Sequence, residues 1–514
     1  MNRARQVLLV LFLAWAVVAD DTSLWKLMQE QRMKILEHKR QMEKQGFVVE
    51  KYEVPVHFVA AETEPAVTPT KKKIPRPYIP KPTPVTPKPT LPEPTKKPEE
   101  TKPTPKPTLS KIPDSHMVKI YGDDLTMYYW MHIMVGNPPA KQSVIIDTGS
   151  DYTAVPCNCA PGDCGTHDYP PLVVKESAAF LKCGAKFGNY VCKNCDYSRT
   201  NCTFYRHYAE GSSLAGQVMI QPVKFGDKGE NMDAQEDDDH NIKDPIKIPV
   251  GCTNQETGMF LPQKANGIMG LYYNSNTEKF GPNLIDQLYS GAHISTRGFS
   301  LCFGTFGGFL TLGKMRTDRH KKGAKVQKLN YIENTNYMIS IYSIKVGNKE
   351  VYRKYGRDTR ASMKLDSGTT FAYFHADLGG PLIKAIAEFC QKSPKNCGGS
   401  RIFSGDTCFS RNKALHPTHQ EFLDSFPTVQ LKLGLNGEVD YTWSPRNYLR
   451  YLPNVMDPRS PSYCNTMMEA SPNSTQLLGS MFMRGRDFHF DRLDRRVTIV
   501  DANCDSIQPT YVEE

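Results

Sequence analysis

The sequence predicts an all-β fold, mainly strands with short helices, arranged as two β-rich lobes. Two similar stretches, 144–150 and 363–370, each run from a strand-like approach into Asp, a small hydroxyl residue, Gly and a second hydroxyl residue. Asp366 in the second stretch follows Asp147 in the first by 219 residues. The roughly 400 residues that contain both stretches exceed one ordinary domain, so we expect one stretch in each lobe.

The first 19 residues have the features of a signal peptide. Arg3 and Arg5 give a basic start, residues 7–18 are mostly apolar, and Ala19 ends a small-residue cleavage site. The apolar run is too short to span a bilayer, and no later stretch is long or apolar enough to do so. We therefore expect a protein of the endoplasmic reticulum or Golgi lumen, or a secreted protein, without a transmembrane anchor.

Two further segments precede the lobes. Residues 20–63 are charged with a helical pattern, which predicts a propeptide or, alternatively, a helix that the mature protein retains. Residues 64–113 hold 16 Pro, 9 Thr, 11 Lys or Arg and 4 Glu, a composition that favours an extended, disordered linker. This linker supplies +7 of the net charge of +10, so the basic balance does not indicate a nucleic-acid partner.

The predicted lobes are residues 114–320, which include a Cys-rich insertion, and residues 321–510. Strand patterns dominate both, and the acidic run 236–239 lacks the ligand spacing of a calcium loop. The predicted strands include 127–135, 337–346 and 496–500, the predicted short helices are 280–288 and 382–390, and the predicted connection between lobes is 316–322.

Fourteen cysteines follow the predicted signal peptide, and in a secreted protein they predict disulfides. Cys157, Cys159, Cys164, Cys192 and Cys195 have spacings that zinc ligands also show, but no His accompanies them at the usual spacing and the predicted compartment is oxidising, so we expect no metal. Nine cysteines fall in the first lobe and five in the second. If every cysteine pairs, at least one disulfide joins the lobes.

The repeated Asp motif suits one chemistry. Two carboxyl groups held close together share a proton, because both cannot ionise cheaply. The ionised group then draws a proton from a water molecule while the protonated group polarises a substrate carbonyl, which hydrolyses an amide without a cofactor. Gly149 and Gly368 permit close approach of the two loops, and the hydroxyls of Ser150 and Thr369 are placed to hydrogen-bond the carboxylates.

On these motifs the chain resembles the pepsin-like aspartic proteases over roughly residues 115–508. Within that family it is similar to the plasmepsin V-like group on segments 208–212, 443–449 and 500–504, and its Cys-rich insertion resembles that of the nepenthesin-like group. The resemblance implies the bilobal acid protease fold with an active cleft between the lobes. It also implies that Asp147 and Asp366 are catalytic, that Thr148 and Ser367 brace their loops, and that 267–271 and 476–479 lie behind them.

The resemblance also implies a β-hairpin flap at Tyr208, Glu210 and Gly211. Tyr208 would close the cleft, and Glu210 would pair with a basic substrate side chain near the cut; the alternatives are an ordinary strand Tyr and an exposed flap charge. Ala154 departs from the pepsin pattern, which has a Trp there as partner of the flap Tyr. We therefore expect the flap to be ordered differently.

Similar enzymes further imply a disulfide between Cys302 and Cys504, and we expect another between Cys408 and Cys464. Asn201 and Asn473 begin glycosylation sequons. Taken together, we expect a monomeric aspartic endopeptidase, made as a zymogen, that acts on polypeptides and processes secretory or exported proteins. The alternatives are a secreted digestive protease of broad specificity and a catalytically inactive, protease-shaped binding protein.

Overall fold

The computed structural model describes residues 114–124, 126–175, 180–208, 210–227, 230, 245–273, 281–333, 336–356, 358–393, 395–398, 400–404, 406–452 and 462–506. By internal contacts the chain divides into two units, Met1–His57 with Leu125–Met127, and Phe58–Asp124 with Tyr128–Glu514. Only residues 126 and 127 of the first unit are described, and every element below belongs to the second. The predicted signal peptide, propeptide, linker and acidic run lie outside the described residues.

Strands dominate the described residues. Those of the first half are β1 (Ser115–Ile120), β2 (Trp130–Val135), β3 (Ala140–Asp147), β4 (Ala154–Pro156), β5 (Lys186–Phe187), β6 (Tyr190–Val191), β7 (Thr203–His207), β8 (Ser213–Phe225), β9 (Ile246–Glu256), β10 (Gly267–Gly270), β11 (Gly298–Phe303) and β12 (Gly308–Gly313). Those of the second half are β13 (Gln327–Asn330), β14 (Met338–Val346), β15 (Lys349–Arg353), β16 (Ser362–Leu365), β17 (Ala372–Phe374), β18 (Ser400–Ser404), β19 (Asp406–Ser410), β20 (Val429–Leu433), β21 (Val439–Trp443), β22 (Leu449–Leu452), β23 (Ser462–Asn465), β24 (Met467–Glu469), β25 (Leu477–Leu478), β26 (Arg486–Asp491) and β27 (Arg496–Asp501).

The helices are short, as the sequence predicts for a mainly-β protein. They are α1 (Leu284–Ser290), α2 (Ala376–Gln391), α3 (His419–Asp424), α4 (Pro445–Tyr448) and α5 (Ser480–Met483), with 3₁₀ turns at Gly258–Phe260 and Asn396–Gly398. Helix α2 was predicted to begin after Pro381 but begins at Ala376, with Pro381 inside it. Helix α3 begins with a capping box, in which Thr418 and Glu421 each bond the other's backbone N–H.

Each half contributes a sheet that carries one of the two Asp residues. The first is seven-stranded, in the order β2-β3-β10-β4-β9-β8-β7, and the second is eight-stranded, in the order β21-β20-β14-β16-β25-β17-β24 with β15 paired to β14. β10 runs parallel to β3, and β25 runs parallel to β16. The same arrangement of a short parallel strand beside the Asp-bearing strand therefore occurs in both halves.

A third sheet combines strands of both halves. Its six strands have the order β1-β12-β11-β26-β27-β13, so three come from each half of the sequence. β11 and β12 are buried along their whole length, which is typical of strands covered on both faces. β20 and β21 instead alternate buried and exposed residues, as strands with one face in solvent do. The predicted mainly-β fold class is confirmed, although the sequence did not predict this shared sheet.

Seven disulfides account for all 14 cysteines. Cys302 on β11 pairs with Cys504 after β27, so this disulfide crosses the two halves, and Cys408 pairs with Cys464 across β19 and β23. The other five are Cys157–Cys252, Cys159–Cys164, Cys183–Cys195, Cys192–Cys202 and Cys390–Cys397. Disulfides on this scale indicate a protein that folds in the oxidising secretory pathway.

Candidate active site

Asp147 and Asp366 meet at the floor of the site. Asp147 is the last residue of β3, Asp366 directly follows β16, and both side chains are completely buried. A Cβ atom added to Gly149 would lie 2.5 Å from Asp366 Oδ2 and 2.9 Å from Asp147 Oδ1. One on Gly368 would collide with Asp147 in the same way. The two carboxyl groups are therefore near neighbours. Both positions require glycine, because a side chain at either one would clash with a carboxyl group.

The two Asp loops are cross-braced by a reciprocal set of hydrogen bonds. The Thr148 amide donates to Ser367 Oγ, and the Ser367 amide donates to Thr148 Oγ1, each at 2.9 Å. The two hydroxyls in turn donate to backbone carbonyls of the opposite strands, Thr148 to Leu365 at 3.0 Å and Ser367 to Ile146 at 2.8 Å. Since all these groups are buried, four hydrogen bonds shielded from water fix one loop against the other.

The two carboxyl groups differ in their partners. Asp147 accepts from the Gly149 amide at 2.6 Å and from the Ser150 hydroxyl. Asp366 accepts from the Gly368 amide at 3.2 Å, and the ammonium of Lys364 lies 3.3 Å from its Oδ2.

Thr369 occupies the position that corresponds to Ser150. Its buried hydroxyl makes no hydrogen bond, so only one of the two hydroxyls expected to bond the carboxylates does so.

The protonation of Asp147 is set by its surroundings. Burial raises the pKa of Asp147 well above its usual range, and the adjacent charge of Asp366 raises it further. The Ser150 hydrogen bond and the positive charge of Lys364 act in the opposite direction but do not cancel the rise. A proton therefore stays on this pair of carboxyl groups at pH values where an isolated Asp is ionised.

A β-hairpin formed by β7 and β8 lies over this pair. At its tip the Tyr208 amide donates to the Ser212 carbonyl, and the Gly211 amide donates to the Tyr208 carbonyl, both at 2.9 Å. Gly211 has φ +92°, a conformation that favours glycine. The Tyr208 hydroxyl lies 3.4 Å from Ser150 Oγ, and its ring packs edge-on against Phe260 with centroids 5.1 Å apart. The flap Tyr thus reaches the hydroxyl that contacts Asp147.

Glu210 lies at the tip of the same hairpin. Neither of its carboxyl oxygens, both shielded from solvent, makes a hydrogen bond. Burial raises the pKa of Glu210 to about 8 and outweighs the opposing effects of its own backbone amide and the Ser212 side chain, while the charge of Asp366 adds a smaller rise. Glu210 is therefore a desolvated carboxyl group that has no cation beside it among the described residues.

A match to a known protein family agrees with this geometry. A family model described as eukaryotic aspartyl protease matches residues 128–502, which include both Asp loops and the flap. The chain belongs to the eukaryotic aspartyl proteases. It is therefore an aspartic endopeptidase, and its substrates are polypeptides.

Individual relatives of this protease come from parasites and plants. Plasmepsin V of Plasmodium falciparum is 29% identical, over 76% of this chain and 74% of its own length. Aspartic protease 5 of Toxoplasma gondii is 23% identical over 76% of this chain, which spans 38% of that longer protein. Aspartic proteinase-like protein 1 of Arabidopsis thaliana is 22% identical, over 76% of this chain and 70% of its own length.

The structure adds an ion pair that the sequence did not indicate. Arg206 on β7 donates from Nε to Asp151 Oδ1 at 2.7 Å and from its terminal nitrogen to Oδ2 at 2.6 Å. The guanidinium also lies 4.7 Å from the ring centroid of Tyr152. The pair joins a flap strand of the protease to the residue directly after its first Asp-Thr-Gly-Ser loop. No local sequence signal could reveal it, because its members lie 55 residues apart.

Several sequence-predicted positions lie away from the carboxyl pair of the protease. Ala154 is buried on β4, and the flap Tyr packs on Phe260. Asn201 is half-buried and accepts from Lys182 at 3.0 Å, whereas Asn473 is exposed. Among the residues described, no three acidic, His or Cys side chains group as metal ligands, and no helix is both long and apolar enough to cross a membrane.

Proposed function

We propose that Asp147 and Asp366 are the catalytic pair and that the protease processes secretory or exported proteins next to basic residues. The observation that carries the first part is the meeting of two fully buried carboxyl groups whose loops are braced by Thr148 and Ser367. Such a pair holds one proton between two acids, which is the state that this chemistry needs.

The reaction needs only the pair and a water molecule. The ionised carboxylate takes a proton from water, and the oxygen attacks the scissile carbonyl carbon while the protonated carboxyl group donates its proton to the carbonyl oxygen. The resulting gem-diol collapses when a proton passes to the amide nitrogen, which breaks the C–N bond and leaves a free carboxyl group and an amine. The raised pKa of Asp147 supports this residue as the one that carries the proton at the start.

The flap supplies closure and selectivity in this proposal. Tyr208 covers the pair and excludes water when a peptide is bound. Glu210 offers a desolvated carboxyl group with no cation beside it in the part of the chain that the structure describes, and a substrate Arg or Lys provides that cation. A charge-assisted pair formed in such a site is stronger than one formed in solvent. Glu210 is thus the residue that favours a basic side chain near the cut.

The seven disulfides support maturation in the secretory pathway. Both a protease that processes exported proteins and a protease that digests proteins outside the cell would carry such disulfides. The experiment therefore distinguishes these two functions. The purified protein is given a diverse peptide mixture across acidic to neutral pH, and the cuts are identified by mass spectrometry. Asp147→Asn and Asp366→Asn serve as inactive controls of nearly unchanged shape.

Cuts that vanish in both controls and cluster beside Arg or Lys would support the proposal in full. Cuts that vanish in the controls but fall between hydrophobic residues would keep the catalytic pair and replace processing by digestion. Persistent cleavage in either Asp→Asn protein would reject the assignment of the pair. A mature wild-type protein that binds peptides without cutting them would point to the binding-protein alternative.

A further inference from the structure

Lys364 brings a third charge to the carboxyl pair. It lies two residues before Asp366 on β16, and residues two apart on a strand point to the same side. Its ammonium is 3.3 Å from Asp366 Oδ2, and its side chain is 8% exposed. Because a Lys is rarely buried unless it is paired, this contact is a specific feature of the site.

Uncharged side chains lie on several sides of Lys364. The strands on either side place uncharged residues in register with it, Met338 on β14 and Leu477 on β25. From the first half of the chain the ring of Tyr272 faces the ammonium, with 5.4 Å between Nζ and the ring centroid.

Among the described residues, the ionisable groups coupled to this location are acidic. Asp366 contacts the ammonium directly, and its charge also raises the pKa of Asp147 and of Glu210 on the flap.

Lys364 also explains the asymmetry of the two Asp loops. On the Asp147 side the second carboxyl oxygen is bonded by the neutral hydroxyl of Ser150. On the Asp366 side the corresponding hydroxyl, that of Thr369, makes no hydrogen bond, and the Lys364 ammonium contacts the oxygen instead. One carboxyl group therefore has a neutral donor and the other has a cation.

We propose that Lys364 is a positioning residue that keeps Asp366 ionised and thereby leaves the single proton of the pair on Asp147. The inference rests on the proposed catalytic role of the two Asp residues. A cation beside one carboxylate stabilises its ionised form more than that of the farther partner, so the two acids are no longer equivalent. Asp366 then acts as the base toward water, and Asp147 as the acid toward the carbonyl oxygen.

The proposal predicts the direction of a pH shift. Activity requires one proton on the pair, so it rises with pH as the first proton leaves and falls as the second leaves. A nearby positive charge lowers both apparent pKa values and moves the active window toward acid. Removing the charge must therefore move both limbs toward higher pH, by about one unit or more.

The test is the pH profile of kcat/KM on a peptide without charged side chains near the cut, so that no substrate cation pairs with Glu210. Lys364→Met removes the charge and keeps the length of the side chain, and Lys364→Arg retains the charge. Lys432→Met, which removes an exposed Lys paired with Asp440, is the matched surface control. We expect a shifted profile for Lys364→Met and profiles close to wild type for the other two.

An unshifted profile in Lys364→Met would overturn the proposal, and so would a shift confined to peptides with acidic side chains, which would indicate a specificity role. These outcomes leave the catalytic pair intact as long as Asp147→Asn remains inactive, so the two proposals fail separately. If Lys364→Met does not fold, the carboxyl ¹³C resonances of wild-type protein labelled at Asp are titrated instead. They are assigned through the two Asp→Asn variants. Asp366 is expected to ionise first, and ionisation of Asp147 first would reject the role of Lys364.

Discussion

Arg206 and Asp151 form a two-point ion pair that ties a flap strand to the loop of Asp147, with N–O distances of 2.7 Å and 2.6 Å. The Gly281 amide donates to the same carboxylate at 2.5 Å. Asp151 is buried, and Arg206 is mostly buried against the ring of Tyr152. The flap therefore has a fixed base beside the site, although the Trp that orders the flap in pepsin is replaced by Ala154.

Replacing Arg206 by Met tests this attachment. The change leaves the buried Asp151 carboxylate without its cation, which we expect to cost about 3 kcal/mol of stability. A loosened flap should also lower kcat/KM by at least about tenfold through kcat and KM together. Urea unfolding and steady-state kinetics measure the two effects. Arg353→Met, which breaks an exposed pair with Glu350, is the control and should change neither quantity.

Gly149→Ala tests the closeness of the two carboxyl groups. The new methyl would lie within 3 Å of oxygens of both Asp147 and Asp366, so it must force the loops apart. A displacement of about 1 Å at reacting groups costs about a hundredfold in rate, and we expect at least that loss in kcat. Gly380→Ala is the control, because a Cβ atom there meets open space. Near-normal turnover by Gly149→Ala would mean that the pair is not the reacting centre.

Thr148→Val tests the brace between the loops at nearly constant volume. The substitution removes the acceptor of the Ser367 amide and the donor to the Leu365 carbonyl. A buried amide left without a partner costs about 1 to 3 kcal/mol, so the free energy of unfolding should fall by that amount. Urea titration measures it, with Thr442→Val on the exposed face of β21 as control. An unchanged unfolding midpoint would show that the brace adds nothing to stability.

Some residues of the site could be predicted from the sequence, and others could not. Asp147 and Asp366 were predictable because their motif occurs twice, whereas the flap position of Tyr208 was implied only by the resemblance to the pepsin-like proteases. In the sequence, Lys364 is one residue of a predicted strand and carries no sign of a role in the site. Only the folded loop shows that its ammonium, and not the Thr369 hydroxyl, contacts Asp366. The six-stranded sheet was not predicted because pairings such as β11 with β26 join segments almost 200 residues apart, and no local pattern encodes them.

Glu210→Gln tests the origin of the preference for basic substrates through its pH dependence. The raised pKa of Glu210, about 8, means that the free protein holds this carboxyl group protonated below that pH. A substrate Arg pairs with the ionised form, so binding must release the proton of Glu210. The free-energy cost of this deprotonation decreases as the pH rises toward 8. The ratio of kcat/KM for an Arg peptide to that for its uncharged citrulline counterpart should therefore rise with pH, by at most about tenfold per unit, and then level off. Titration of the catalytic pair affects both peptides alike and cancels in the ratio. In Glu210→Gln the ratio should be lower and independent of pH. A ratio that is flat in the wild-type protein, or that keeps its slope in Glu210→Gln, would place the recognition of basic side chains on another residue.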